Sequence, residues 1–338
     1  MRSWCYDKNM ITDIVLPWVD GNDPKWRSIK QSYSDSGDAR EERYRDFGLM
    51  RYWFRGIEVC MPWVRRIHFI TMDQVPEWLD TSHPKLNLVD HKDYIPHDCL
   101  PTFNSNVIEL NVHRINELSE QFVLFNDDCF VVKPIPETFF FRDGKPVDML
   151  ALQPVVANES NEVMSYIYLN NAILIARHFK KLENMKKQPK AYFNPAYPLR
   201  YQIYNRLEQL WPRYTGFFTA HGPSPLLKST LQELWELEPA ALEQTSHNRF
   251  RDKTDVSQYL VREYEKQKGN FISENILKDF SYFDLDNDNV KLMKCLDKRE
   301  VSMICINDSN QKIEFERVRE ELIQAFEKLF PDKSSFEL

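Results

Sequence analysis

Asp127 and Asp128 stand side by side, between the apolar run Phe122-Val123-Leu124-Phe125 and the equally apolar Cys129-Phe130-Val131-Val132. Adjacent residues of a strand point to opposite faces, so two carboxylates inside a sheet would each cost several kcal/mol unless paired or metal-bound. Where a strand ends and the backbone turns, both can face one cleft. Hard carboxylate oxygens there suit Mg²⁺ or Mn²⁺, which can bridge a diphosphate. A solvated turn is the plain alternative, because Asn-Asp-Asp is good turn chemistry. The immediate return to apolar residues at Cys129 speaks for more than a turn.

Two further side chains could join such chemistry. His221 lies in Phe217-Phe218-Thr219-Ala220-His221-Gly222-Pro223-Ser224-Pro225. This loop is expected to lead into a helix near Leu226, with Ser224 as N-cap and Pro225 in the first helical position. Such a histidine can act as a general base near neutral pH, or simply bond the backbone. Arg251 lies in the charged stretch His247–Asp255. Its guanidinium matches phosphate oxygens bidentately, although a solvated charged loop reads the same way. Asp284-Leu285-Asp286-Asn287-Asp288 starts like a calcium loop, but Asn289 stands where Gly is needed and Cys295 where Glu is needed, so that reading fails. The five lysines between Lys180 and Lys190 read as a solvated helix end.

The elements that must position these groups follow from periodicity. Asp13–Val19 is a strand leading into the turn Asp20-Gly21-Asn22-Asp23-Pro24. Phe47, Met50, Phe54 and Ile57 at helical spacing predict a helix from Asp46 to Cys60, with Arg51 and Arg55 on one face. Arg66–Thr71, Leu86–Val89 and Phe122–Phe125 read as strands, and Asn106–Ile115 as a helix. The alternation predicts an α/β fold, Rossmann-like, with a mostly parallel sheet flanked by helices. Ligands bind beyond the carboxyl ends of such strands, where Asp20/Asp23 and Asp127/Asp128 fall. The later chain is more helical, at about 171–183, 199–210, 226–238, 255–267 and 313–329, with a strand at Ser302–Ile306 and long loops at 184–197 and 212–225. With no linker of boundary composition, residues 1–338 read as one domain, an α/β half to about 155 and a helical half from about 156 that completes the site.

Composition narrows the partners. A hydrophobic fraction of 42% and a charged fraction of 28% are those of an ordinary globular protein. Eight glycines, without GxxxxGK[ST] or GxGxxG, argue against a Gly-rich phosphate loop. A net charge of −7 disfavours nucleic acid. The six cysteines form no CxxC pair and are expected to be reduced thiols of a cytoplasmic protein. No signal-peptide core is seen, and no stretch nears the ~20 apolar residues that span a bilayer. Any membrane-linked product would be met from the aqueous side, through a peripheral contact. Oligomeric state is not readable.

In chain order these segments resemble the Stealth family of sugar-1-phosphate transferases, which includes bacterial capsular polysaccharide phosphotransferases and the catalytic core of GlcNAc-1-phosphotransferase. Its first block is similar to Asp13-Ile14-Val15 with Trp18-Val19-Asp20-Gly21-Asn22-Asp23-Pro24. The second is similar to Arg45-Asp46, Leu49-Met50-Arg51-Tyr52, Pro62-Trp63-Val64-Arg65-Arg66-Ile67, Leu100-Pro101-Thr102-Phe103-Asn104-Ser105, Ile108-Glu109, His113-Arg114-Ile115 and Asn126-Asp127-Asp128. The third surrounds His221 and runs to Phe250-Arg251 and Asp255; the fourth is Cys305-Ile306-Asn307-Asp308 with Phe330-Pro331 and Ser334-Ser335-Phe336-Glu337. Departures are Leu16-Pro17 for the common Tyr-Thr, Asn106 for Pro, Leu110-Asn111 for Ser-His and Cys129 for Val.

The resemblance implies attack by a hydroxyl of an acceptor oligosaccharide or polysaccharide on the sugar-linked phosphate of a nucleotide sugar. The implied donor is a UDP-sugar such as UDP-GlcNAc; UMP leaves and a phosphodiester forms, in capsular or cell-surface polysaccharide synthesis. It implies Mg²⁺ or Mn²⁺ on Asp127 and Asp128, and Arg251 on phosphate oxygens with Arg51 or Arg114. His221 would take the acceptor proton or stabilise the transferring group, with Asp128 the alternative base. Asp20 would border the nucleotide, while Asn104, Glu109 and Asp255 complete the substrate-binding set. The rival readings are a metal-dependent glycosyltransferase that releases UDP and a non-catalytic sugar-polymer-binding protein.

Overall fold

A computed structural model describes residues 11–33, 44–159, 161–308 and 313–338. The strands that frame the site are β1 (Thr12–Pro17), β2 (Ile67–Thr71), β3 (Leu86–Asp90), β4 (Gln121–Leu124), β5 (Cys129–Val131), β6 (Ser224–Leu227), β7 (Phe280–Asp284) and β8 (Met303–Asn307). The helices are α1 (Pro24–Gln31), α2 (Met50–Cys60), α3 (Ser105–Leu110), α4 (Glu162–His178), α5 (Leu199–Leu207), α6 (Lys228–Leu237), α7 (Tyr259–Lys268) and α8 (Phe315–Leu329).

The central sheet has the order β6-β4-β1-β2-β3, parallel throughout except for the antiparallel edge strand β6. It is covered on both faces, which is why the middles of its inner strands, Ile14–Leu16, Phe69–Ile70 and Phe122–Leu124, are continuously apolar. Ile14, Leu16, Phe69 and Val123 pack toward α2 and α8. Val15, Ile70, Phe122 and Leu124 pack toward α3, α4, α6 and α7. The α/β, Rossmann-like expectation therefore describes the molecule. Chain order leaves β1 on one side toward β2 and on the other toward β4, so the carboxyl ends of β1 and β4 flank the point where the winding reverses.

A second sheet places β8 between β7, its parallel neighbour, and β5, antiparallel, with Cys305 opposite Cys129. Asn126, Asp127 and Asp128 thus lie at a seam, where the chain leaves the central sheet at Leu124 and enters the second sheet at Cys129. That is how two carboxylates can interrupt an apolar run without being buried in a sheet. Helix α2 lies close on β5: a Cβ at Gly56 would come within 2.8 Å of the Val131 carbonyl oxygen.

Several local expectations are corrected. Ser224–Leu227 is a strand rather than a helix start: all four residues are buried, paired with β4, and the helix begins only at Lys228 where the chain leaves the sheet. The helix expected over 106–115 stops at Leu110, and a tight turn at Val112–Arg114 redirects the chain. The expected loop at 184–197 contains the short helices Lys181–Lys187 and Pro189–Tyr192. Lys181 is buried against Glu208 at 2.6 Å instead of solvated. Pro239–Ser246 forms a helix that periodicity did not reveal. Of the six cysteines, Cys60, Cys99, Cys129, Cys295 and Cys305 are buried free thiols, and Cys5 lies outside the described residues.

Candidate active site

A cavity of about 600 Å³ opens beyond the carboxyl ends of β1 and β4, a volume within the usual range for small-molecule sites. Pro17–Val19 line it after β1, Asn126–Asp128 after β4, and Ile306–Asp308 after β8. Ser105 and Glu109 of α3, Met164 and Tyr168 of α4, and His221, Arg251 and Tyr259 close it from the other side. Residues far apart in sequence therefore share one hollow.

At its centre the His221 Nε2 lies 3.2 Å from the Asp128 Oδ2, and the His221 Nδ1 lies 2.8 Å from the Tyr259 hydroxyl. The thiols of Cys129 and Cys305 each donate to Asp128 at 3.3 Å, Cys129 to Oδ1 and Cys305 to Oδ2. The Tyr259 hydroxyl on Nδ1 and, against burial, the Asp128 carboxylate hold the imidazole well above its ordinary range. Asp128 is half-buried, and the desolvation raises its pKa. The imidazolium charge and the hydrogen bonds from His221 and the two thiols outweigh this and hold Asp128 below the usual carboxylate range. The two side chains rest as an imidazolium–carboxylate pair. The Asp128 carboxylate and the Cys129 and Cys305 sulfurs are close enough to share an ion, but burial pushes the Cys129 thiol well up, so it serves as a donor and not as a thiolate ligand.

Asp127 differs from its neighbour. Its side chain opens onto the cavity, and crowding by protein, then the Asp128 charge, then the Asp46 charge push its carboxyl up to about 7. Asp46 lines the same cavity, accepts the Gly48 amide at 2.7 Å, and is likewise raised by burial and by the Asp20 charge. The Arg319 charge on Asp46 and the His221 charge on Asp127 oppose these rises without cancelling them. Arg251 lines the same cavity, fixed by a 2.7 Å bond to the Ser105 hydroxyl and a contact to the Met164 sulfur.

Glu109 lines the cavity between these groups; burial pushes it up to about 7, against the opposing charges of Arg251 and His221. A pH dependence follows. The unfolded chain ionises Glu109 near 4.5, while the folded chain keeps the proton to about 7, so stability is lost as pH rises through that window. The loss is on the order of 3 kcal/mol. Glu109→Gln mimics the protonated form. It is expected to melt like the parent below pH 4.5 and at a higher temperature than the parent above pH 7, in parallel thermal melts.

Other sequence candidates are placed elsewhere. Arg51 stacks over Trp78 at 5.6 Å and does not line the cavity, because it projects from the side of α2 away from Met50, which does. Arg114 stacks on Trp235 at 4.8 Å and bonds Asn111, turned outward by the tight turn after α3. Asp20 caps its own loop through the Asn22 amide at 2.8 Å, one residue past the lining stretch. Asn104 and Asp255 are fully buried and touch each other at 2.8 Å. Asp255 also accepts from Asn106, Asn248 and the Asp252 amide, and Asn104 donates to the Asn248 and Phe250 carbonyls. These two residues lock the Arg251 segment to the start of α3 instead of facing a ligand. Asp255→Ala leaves several buried donors without an acceptor and is expected to destabilise by about 3 kcal/mol, readable as a lower urea midpoint.

Sequence reasoning missed Asp46, Tyr259 and the pair Arg45–Asp308, in which the Arg45 Nε donates to the Asp308 carboxylate at 2.7 Å beside the cavity. Arg45-Asp46 and Asn307-Asp308 were visible as polar doublets flanking apolar runs. Tyr259 gave no local signal.

An acidic pair at strand ends, an imidazole locked to one of its carboxylates and an arginine across the hollow define a group-transferring α/β enzyme, a transferase. The chain belongs to the Stealth family. All four of its conserved regions match: region 1 over residues 13–38, region 2 over 43–148, region 3 over 220–259 and region 4 over 293–338. A capsular polysaccharide phosphotransferase, WcwK, of Streptococcus pneumoniae is 38% identical over 96% of this chain and 97% of its own length. A receptor polysaccharide phosphotransferase, WefC, of Streptococcus gordonii is 38% identical over 96% of this chain and 98% of its own. An exopolysaccharide phosphotransferase, cps2G, of Lactiplantibacillus plantarum is 35% identical over 96% of both. No helix among the described residues is long and apolar enough to cross a membrane.

Proposed function

We propose that the protein transfers a sugar-1-phosphate from a nucleotide sugar, of the UDP-hexose kind, to a hydroxyl of an acceptor saccharide, in the assembly of a capsular or other surface polysaccharide. The observation that carries this reading is the Asp128–His221 contact of 3.2 Å facing Arg251 and Asp127 across one cavity. The names of the relatives, all polysaccharide phosphotransferases, support it.

Phosphoryl transfer asks for positioning and charge neutralisation more than for covalent chemistry. Arg251 and the His221 imidazolium supply positive charge to the phosphate oxygens. The new bond joins the acceptor oxygen to the sugar-linked phosphorus. The bond that breaks joins that phosphorus to the oxygen bridging the two phosphates, which leaves with its electron pair on UMP. Because the resting imidazole already carries its proton, the Asp128 carboxylate is the member of the pair with lone pairs for the acceptor proton. Tyr259 and the thiols of Cys129 and Cys305 keep the pair in register.

Mg²⁺ or Mn²⁺ fits the donor set. Asp127 and Asp46 offer hard oxygens to the cavity, and each is raised in pKa first by desolvation and then by neighbouring negative charge, which a cation would relieve. These two residues, more than the already engaged Asp128, would hold it. Held there, it would supply charge neutralisation to a bound diphosphate. Asn158, Asn161, Met164 and Tyr168 line the cavity from the chain between the second and third conserved regions and are assigned to the acceptor side. A cytoplasmic setting accords with the buried free thiols.

Incubation with a panel of nucleotide sugars and an acceptor, with the released nucleotide identified by mass, tests the proposal. UMP is expected. UDP would instead make the protein a glycosyltransferase, and no nucleotide release with any donor would make it a binding protein.

A further inference from the structure

Helix α5 is amphipathic in the inverted sense. Its inward face is small and partly polar: Tyr201, packed on Phe218, and Asn205 are almost fully buried, as is Glu208 just past the helix end. Asn205 bonds the Leu150 and Tyr192 carbonyls and the Leu152 amide, and Glu208 pairs with the buried Lys181. The helix is therefore anchored by specific polar contacts and cannot roll to hide its other face. That outward face carries Leu199 (71% exposed), Ile203, Leu207, Leu210 (74%) and Trp211. Spacings of four, four and three residues put the four aliphatic side chains on one stripe. A helix facing water alone would show the opposite pattern.

The surrounding charge says what covers the stripe. Residues 180–213 hold eight basic and two acidic side chains in a chain whose net charge is −7. Lys181 and Glu208 neutralise each other in the interior. Arg200, Arg206 and Arg213 are exposed and, among the described residues, form no ion pair with a carboxylate; Arg200 lies over the Tyr201 ring at 4.4 Å and Arg206 donates to the Gln202 carbonyl at 3.1 Å, contacts that leave their charge unneutralised. An apolar stripe ending in Trp and fringed by arginines matches the interface of a bilayer with anionic headgroups: the apolar side chains enter the acyl boundary while the long basic ones reach back to the phosphates. A second copy is the poorer occupant, because a two-fold contact through this stripe would set the arginines against their own equivalents. A saccharide chain alone would leave Leu199 and Leu210 in water.

We propose that the α5 face, from Leu199 to Trp211 with its fringe of arginines, docks the protein on an anionic lipid surface. The helix then lies in the plane of the interface, and the anchoring residues Asn205 and Glu208 transmit that placement to the body of the protein. The assignment rests on this face alone and holds whichever nucleotide the cavity releases.

The test is co-sedimentation of the full chain with vesicles of phosphatidylcholine, with and without a share of phosphatidylglycerol. The chain is expected to sediment with the anionic vesicles and to be released by added salt. Replacing Leu199→Ser, Leu210→Ser and Trp211→Ser together should weaken the partitioning at least about tenfold. Arg200→Gln, Arg206→Gln and Arg213→Gln together should abolish the preference for phosphatidylglycerol. Melting temperatures check that the fold is intact; because Arg200 also bonds the Tyr201 hydroxyl, the pair Arg206→Gln and Arg213→Gln alone should already weaken the preference for phosphatidylglycerol at an unchanged melting temperature. A parent protein that stays in the supernatant with every vesicle overturns the proposal. So does a dimer by light scattering that the serine variants dissolve, since the stripe would then be a homotypic interface.

Discussion

His221→Ala and Asp128→Asn are each expected to give a folded protein whose turnover is reduced at least about a hundredfold, the usual cost of losing such a group. Neither side chain supports the core: both stand at the cavity wall, Asp128 at the seam between the two sheets and His221 in the loop before β6. The pair acts as a unit, so combining the two substitutions should cost little more than either alone. The pH profile separates the two roles open to His221. An imidazole acting as base from an ordinary pKa would give an acid limb near 6.5. The contacts from Asp128 and Tyr259 favour the imidazolium and raise its pKa. With the cation kept saturating, activity should therefore show no acid limb from His221 near 6.5 and should decline on the alkaline side, as His221 loses its proton. Tyr259→Phe should move that alkaline limb toward neutrality while the donor KM changes little. Near-parent turnover in His221→Ala would remove the imidazole from the mechanism.

Removal of divalent cations is expected to have an effect of similar size. Turnover should disappear in chelator and return with Mg²⁺ or Mn²⁺, and Asp127→Asn should lower both the rate and the affinity for the cation measured by calorimetry. The reason is electrostatic. Asp127 is raised above the usual carboxylate range by desolvation, then by the Asp128 and Asp46 charges, so its ionised form is disfavoured. A cation held by Asp127 and Asp46 would favour their ionised forms, so binding should release protons and strengthen as pH rises. Asp46→Asn, at a position that leaves the Asp128–His221 contact untouched, should weaken cation binding too. Full activity in chelator would exclude the cation, and normal cation affinity in Asp127→Asn would move it elsewhere.

What the sequence determined by itself is local. The apolar runs at 13–17, 67–71 and 122–125 could be buried only as central strands, because hydrophobic continuity over so short a span leaves no exposed face. The acidic doublet had to sit at a strand exit, since desolvating two carboxylates inside a sheet is too costly. The order of Asp127–Asp128, His221 and Arg251 within family-like blocks was legible for the same reason: residue types and short spacings are written in the chain. The tertiary structure decided what depends on direction and on distant neighbours. Asp128 meets His221 93 residues on and Cys305 177 residues on. Tyr259 reaches the far imidazole nitrogen, and Asp46 bears on Asp127. Arg51 and Arg114, equally plausible as phosphate ligands by type, turn toward Trp78 and Trp235. Ser224–Leu227, capped like a helix start, became a strand because the edge of β4 offered hydrogen bonds and two apolar neighbours at once. Periodicity fixes dihedral preference and one buried face within an element. Which side chains then converge on a cavity is set by how elements pack, and that free energy is distributed over contacts no short stretch of sequence contains.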